Sequence, residues 1–111
     1  MRAYLMAWEE KESGWGTRPD GWSLHVSPAG YEDYLKRHRA MNDERFERRT
    51  PRSPPWEFSQ PVPGAPLREV ELPDGHALAR RLAAEKSLRV GHFEPDRYEL
   101  ERLTGLEWPG L

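Results

Sequence analysis

The stretch that decides the fold is "RAYLMAWEEKESGWGTRPDGWSLHV", residues 2–26. In its first part Tyr4, Met6 and Trp8 alternate with Ala3, Leu5 and Ala7. A strand that is apolar on both faces is buried on both, which predicts a central strand over residues 2–10. In its last part Trp22, Leu24 and Val26 share one face and Ser23 and His25 the other. That alternation predicts a second strand with its polar face toward solvent. Between them lies "KESGWGTRPDG", residues 11–21. In Pro19-Asp20-Gly21 the Pro fixes φ, the Asp caps and the Gly accepts φ > 0, so a turn is expected there. The two strands then pair antiparallel across a loop of about ten residues, where two to five are usual. Long loops in compact domains often carry function.

Working outward, Ser27-Pro28 offers a helix N-cap and a first-turn proline. Gly30 weakens that start, so the helix is expected to begin nearer Tyr31. Tyr31, Tyr34, Leu35, His38 and Met41 make one apolar stripe at helical spacing. Residues 50–66, with prolines at 51, 54, 55, 61, 63 and 66, are too proline-dense for a regular helix or strand. Trp56, Phe58 and Val62 argue that this segment packs as an ordered extended chain. A strand is expected at "LREVEL", residues 67–72, with Asp74 of the second Pro-Asp-Gly as a cap. Residues 76–88 form a Leu/Ala-rich helix burying Leu78 and Leu82. "RVGHF" reads as a short strand or an extended exit. A last short helix follows over residues 95–105, with Pro95 at its start, Tyr98, Leu100 and Leu103 inside and Gly105 at its end. The expected fold is α+β: a small antiparallel sheet of about three strands, with two main helices on one face and the Pro-rich extended segment alongside.

A chain of 111 residues fits one domain, residues 1–111. It has no cysteine, which excludes disulfides, thiolate zinc sites and a cysteine nucleophile. No apolar run approaches the ~18 residues that span a bilayer. "MRAYLMAW" turns acidic too soon for a signal peptide, so a cytoplasmic location is expected. The 17 basic and 19 acidic residues leave a formal charge of −2, which argues against a dedicated nucleic-acid binder. The run from Lys36 to Arg52 holds seven Lys/Arg against three Asp/Glu, and reads as a solvated helix face or a surface for an acidic partner.

Catalytic and metal motifs are weak. Ser23 and His25 share a strand face but lie about 7 Å apart at the backbone, wide for a hydrogen bond. The histidines at 25, 38, 76 and 92 have no ligand spacing, so no metal is expected, and no cofactor. Gly14-x-Gly16 lacks the rest of a phosphate loop. Five tryptophans in so short a chain direct attention to binding. Trp15, Arg18, Asp20 and His25 concentrate in one stretch; Trp8 with Glu9 and Glu10 ends the adjoining strand, and Trp56 could close over it. Aromatic faces with Arg and a carboxylate are what a flat nucleobase-like ligand needs. The competing structural account has Trp22 and Trp15 packing the sheet and Arg18 pairing with Asp20 across their own turn.

"WEEKESGWGTRPDGWSLH", Trp8 to His25, resembles the opening of a group of short uncharacterised bacterial and phage proteins. The resemblance carries no activity. It implies a phage or mobile-element setting, in which small single domains often inhibit a host protein or sequester a signal. The expectation is therefore a non-enzymatic binding module for a small anionic or nucleotide-like ligand, built from Trp8, Glu10, Trp15, Arg18, Asp20, His25 and Trp56. The alternatives are a protein–protein inhibitor or adaptor using the Trp-rich patch, and a small hydrolase with His25 or His92 as base. An exposed Trp cluster also fits a homodimer.

Overall fold

The structure, a computed structural model, describes residues 1–12, 16–47 and 57–109. Five strands and three helices follow in the order β1 (Arg2–Glu12), β2 (Gly16–His25), α1 (Pro28–Glu47), β3 (Glu57–Pro61), β4 (Arg68–Glu71), α2 (Ala77–Glu85), β5 (Ser87–Val90) and α3 (Pro95–Thr104). The class is α+β as expected, with five strands where about three were expected; the third helix, α3, is the short one expected beside the two main helices. Every strand pairing is antiparallel.

β1 is the central strand. One edge pairs with β2; the other carries β4 along Arg2–Leu5 and β3 along Trp8–Glu12. β5 lies outside β2, with Trp22 opposite Val90 and His25 opposite Ser87. The alternation in β1 feeds two cores. Ala3, Leu5 and Ala7 join Trp22, Leu24, Leu88 and Val90 under Leu78, Ala79, Leu82 and Leu100 of α2 and α3. Met6 and Trp8 join Tyr31 and Leu35 of α1. The helices thus cover both faces of the sheet, not one as expected, and this is why β1 is apolar throughout.

The expected ten-residue loop is largely strand. β1 runs to Glu12 and β2 resumes at Gly16. Pro19-Asp20-Gly21 is not a turn but an irregularity within β2. The register passes from Ala7 opposite Trp22 to Glu9 opposite Pro19, so β2 carries one extra residue across from Trp8. That is a β-bulge, and Gly21 supplies its left-handed φ of 74°. A Cβ on Gly21 would lie 1.9 Å from the Val90 carbonyl oxygen, so the position also needs glycine for close approach. Pro19 is tolerated because β5 stops opposite Trp22, so among the described residues no strand pairs with β2 on that side at Pro19.

α1 begins at Pro28, earlier than expected, and the Ser27 hydroxyl caps it by accepting the Gly30 N–H at 3.0 Å. Tyr31 and Leu35 of the stripe are buried, whereas Met41 is exposed. In the Pro-rich segment β3 is a regular strand, contrary to expectation, with Pro61 as its last residue. The cap of α2 is His76, whose Nδ1 accepts the Leu78 N–H, rather than Asp74. α3 has Pro95 first and Gly105 in a left-handed cap, as its sequence predicts. Its Tyr98 is exposed rather than inside, with the Arg97 guanidinium 4.1 Å from the ring centroid.

Candidate functional site

The bulge and the β5–α3 loop together shape a cleft of about 400 Å³, lined by Glu10, Arg18, Pro19, Asp20, Gly91, His92, Phe93 and Glu94. Glu10 and Arg18 face each other in the β1–β2 register and pair at 3.4 Å. Arg18 therefore does not pair with Asp20 across a turn. The bulge turns Asp20 toward β5 instead, where Arg89 Nη2 donates to its Oδ2 at 2.7 Å and to its backbone carbonyl at 3.1 Å. The Ser59 hydroxyl donates to the same Oδ2 at 2.5 Å.

The opposite wall is fixed from α3. Arg97 donates to the His92 carbonyl and is itself clamped by the Glu101 carboxylate at 3.0 Å. The His92 ring stands edge-on to Phe93 and Trp108. Its Nδ1 is buried and has no hydrogen-bond partner among the described residues. Burial first, and Arg97 second, hold the His92 pKa below the usual histidine value, so the ring is neutral at pH 7. Glu94 folds back over Gly91, within 2.7 Å of where a Cβ would stand. Phe93 closes the rim with 82% of its surface exposed.

Three of the sequence-predicted residues, Glu10, Arg18 and Asp20, meet in this cleft. Trp8 and His25 do not line it. Both lie between the sheet and α1 with no solvent exposure, and Glu9 is buried as well. The face of Ser23 and His25 is thus not the solvent face expected of it. Trp15 and Trp56 lie outside the described residues. Sequence reasoning missed Phe93, which carried no signal beyond an apolar residue after Gly-His, and Arg89, which looked like any outward residue of a short strand.

The buried layer has its own chemistry. Trp8 Nε1, which can only donate, gives its proton to Ser23 Oγ at 2.7 Å. Ser23 Oγ lies 2.7 Å from His25 Nε2, and His25 Nδ1 lies 2.8 Å from Ser87 Oγ. The assignment that leaves no proton stranded has the Ser23 hydroxyl donating to Nε2 and Nδ1–H donating to Ser87. The expected 7 Å backbone gap is closed by the side chains themselves. Burial, with the Arg89 charge second, lowers the His25 pKa to about 4. Ser23 and His25 are completely covered, so no substrate reaches the Ser23 hydroxyl in this fold. Arg89 completes the layer, 4.3 Å over the Trp8 ring and within reach of the Tyr34 hydroxyl at 3.5 Å.

A second cavity of about 310 Å³ lies against Ala7, Trp22, Val62 and Leu106. Pockets that bind specifically combine shape with converging polar groups; Glu10, Arg18, Asp20, His92 and Glu94 line the Asp20 cleft, whereas Arg68 and Glu107 are the charged residues of the second cavity, which favours the Asp20 cleft as the candidate. Among the described residues no cluster of three or more His, Asp or Glu could hold a metal, and no helix is long and apolar enough to cross a membrane. The chain matches no protein-family model, no curated protein and no solved structure.

Proposed function

We propose that this chain is a non-enzymatic binding module that captures a small, flat, polar ligand of nucleobase type in the Asp20–Phe93 cleft. The observation that carries the reading is Phe93, 82% exposed beside a cleft whose polar walls are already held in place. Stacking of a base on an aromatic ring is worth roughly 1–3 kcal/mol, and a ligand over Phe93 also removes its apolar surface from water. The walls need little ordering, because Glu10 is tied to Arg18, Asp20 to Arg89, and the His92 carbonyl to Arg97. In a phage setting such a module would act by sequestering a host signal molecule.

Calorimetric titration with nucleosides and nucleotides tests this. Binding is expected for at least one member, with a loss of about tenfold or more in Phe93→Ala, about 1.4 kcal/mol. A folded sample that binds no member at millimolar concentration overturns the reading. Two exposed aromatics, Phe93 and Tyr98, on the same loop and helix start, favour a second reading as a protein–protein module. That version predicts that Phe93→Ala and Tyr98→Ala weaken capture of a protein partner together while small ligands never bind.

A further inference from the structure

The cleft's charges and hydrogen bonds carry the ligand class further. Its lining sets the carboxylates of Glu10, Asp20 and Glu94 against the guanidinium of Arg18. Arg18 is engaged with Glu10, and Arg89, the cation behind Asp20, is engaged with Asp20 itself, Ser59 and the Trp8 ring. Three carboxylates, Glu10, Asp20 and Glu94, thus stand against two guanidiniums, Arg18 and Arg89, and the cleft keeps a net negative charge. An anionic ligand meets net repulsion at close range, whereas a ligand with N–H donors meets carboxylate oxygens.

Asp20 is the acceptor that the fold has prepared. Both side-chain bonds described for it, from Arg89 and from Ser59, converge on Oδ2. Arg89 also holds the Asp20 backbone carbonyl, and the carboxylate follows directly from the bulge at Gly21. The side chain is thus fixed before any ligand arrives, and among the described residues both of its bonds fall on Oδ2, with Asp20 itself in the cleft lining. Resting on the binding reading above, we propose that Asp20 determines specificity. Its Oδ1 accepts one N–H of an uncharged heterocycle that carries an exocyclic amino group and stacks on Phe93. The ligand is then an amino-bearing nucleoside or free base rather than its phosphate. Arg89 is the positioning residue, since it fixes Asp20 without lining the cleft.

The probes are adenosine, guanosine, cytidine and uridine, their 5′-monophosphates, and the N,N-dimethyl analogue of whichever amino-bearing nucleoside binds tightest. All are titrated calorimetrically into the unmodified full chain, so that no folding defect intervenes. At least one amino-bearing nucleoside is expected to bind about tenfold or more tighter than its monophosphate and than uridine. Dimethylation is expected to cost about tenfold, the scale of one hydrogen bond to a charged acceptor. Asp20→Asn, checked for folding by circular dichroism, is expected to narrow the nucleoside-to-monophosphate ratio to about threefold or less, because the repelling charge is gone. Monophosphates binding as well as nucleosides, or a dimethyl analogue binding undiminished, overturns this assignment. If Phe93→Ala still weakens binding in that case, the cleft reading stands without it. Absence of binding by every probe overturns both.

Discussion

Acidification strikes the buried layer under α1 in a way whose size the structure sets. His25 has no solvent exposure and sits between the Ser23 and Ser87 hydroxyls, with Tyr31 and Tyr34 of α1 edge-on to its ring. Tyr4 of β1 is its cross-strand partner, and Arg89 of β5 adds a repelling charge. A protonated imidazole must donate from both nitrogens, so Ser23 Oγ would have to accept from both Trp8 and His25 and redirect its own proton. The folded pKa is about 4 against 6.5 for a free histidine. The folded value lies below the unfolded one, so the unfolded chain takes up the proton first. The stabilisation is fully present above about pH 6.5 and is lost as pH falls toward 4. One proton over about 2.5 pH units at about 1.4 kcal/mol per unit gives about 3–4 kcal/mol, a large part of a small domain's stability. Urea unfolding followed by circular dichroism, at several pH values from about 7.5 to 4.5, measures it by comparing wild type with His25→Gln. Glutamine keeps a donor and an acceptor but does not titrate, so other groups, His92 included, cancel in the difference. The stability advantage of wild type should shrink by about 1.4 kcal/mol per pH unit below 6.5. An advantage that stays constant over that range, or a His25 ring titrating at its ordinary pKa, would refute the reasoning.

Other substitutions discriminate between the parts of the fold. Gly21→Ala combines a φ of 74° with a Cβ 1.9 Å from the Val90 oxygen, so it should destabilise by more than about 3 kcal/mol in thermal or urea unfolding. In Gly91→Ala the nearest atoms belong to the flexible Glu94 side chain, Oε1 at 2.7 Å and Cγ at 3.2 Å, so it should cost less than about 1 kcal/mol while displacing Glu94 from the cleft and changing ligand affinity. Arg89→Met leaves the Asp20 carboxylate without its 2.7 Å partner and uncovers Trp8; a loss of about 2–3 kcal/mol and a shifted tryptophan emission are expected.

The α+β class and the central β1 were legible because "AYLMAW" is apolar at both parities, which only a strand covered on both faces requires. α2 and α3 were legible from Leu/Ala spacing and from Pro95 and Gly105, which act locally. The bulge was not, because Pro19-Asp20-Gly21 satisfies a turn and a bulge alike; both need φ > 0 at the glycine, and the choice depends on Val90, far along the chain. β3 was hidden because proline forbids interior ladder bonds but not the end of an edge strand, where Pro61 sits. For the site, Glu10, Arg18 and Asp20 were readable as chemistry, whereas the partners of Asp20 were not. Ser59 and Arg89 come from β3 and β5, so only the sheet order brings them together. His25 on a polar strand face suggested solvent until α1 covered it, and its two hydroxyl partners made that burial tolerable.

The most direct test of the account maps where a ligand sits. Amide chemical shifts of the nitrogen-15-labelled chain, followed while an amino-bearing nucleoside is added, report each residue separately. The account predicts shifts concentrated at Glu10, Arg18, Asp20 and the Gly91–Glu94 loop, saturating with ligand and weakened about tenfold by Phe93→Ala. Shifts centred instead on Val62 and Leu106, at the second cavity, or shifts unchanged by Phe93→Ala, would contradict it.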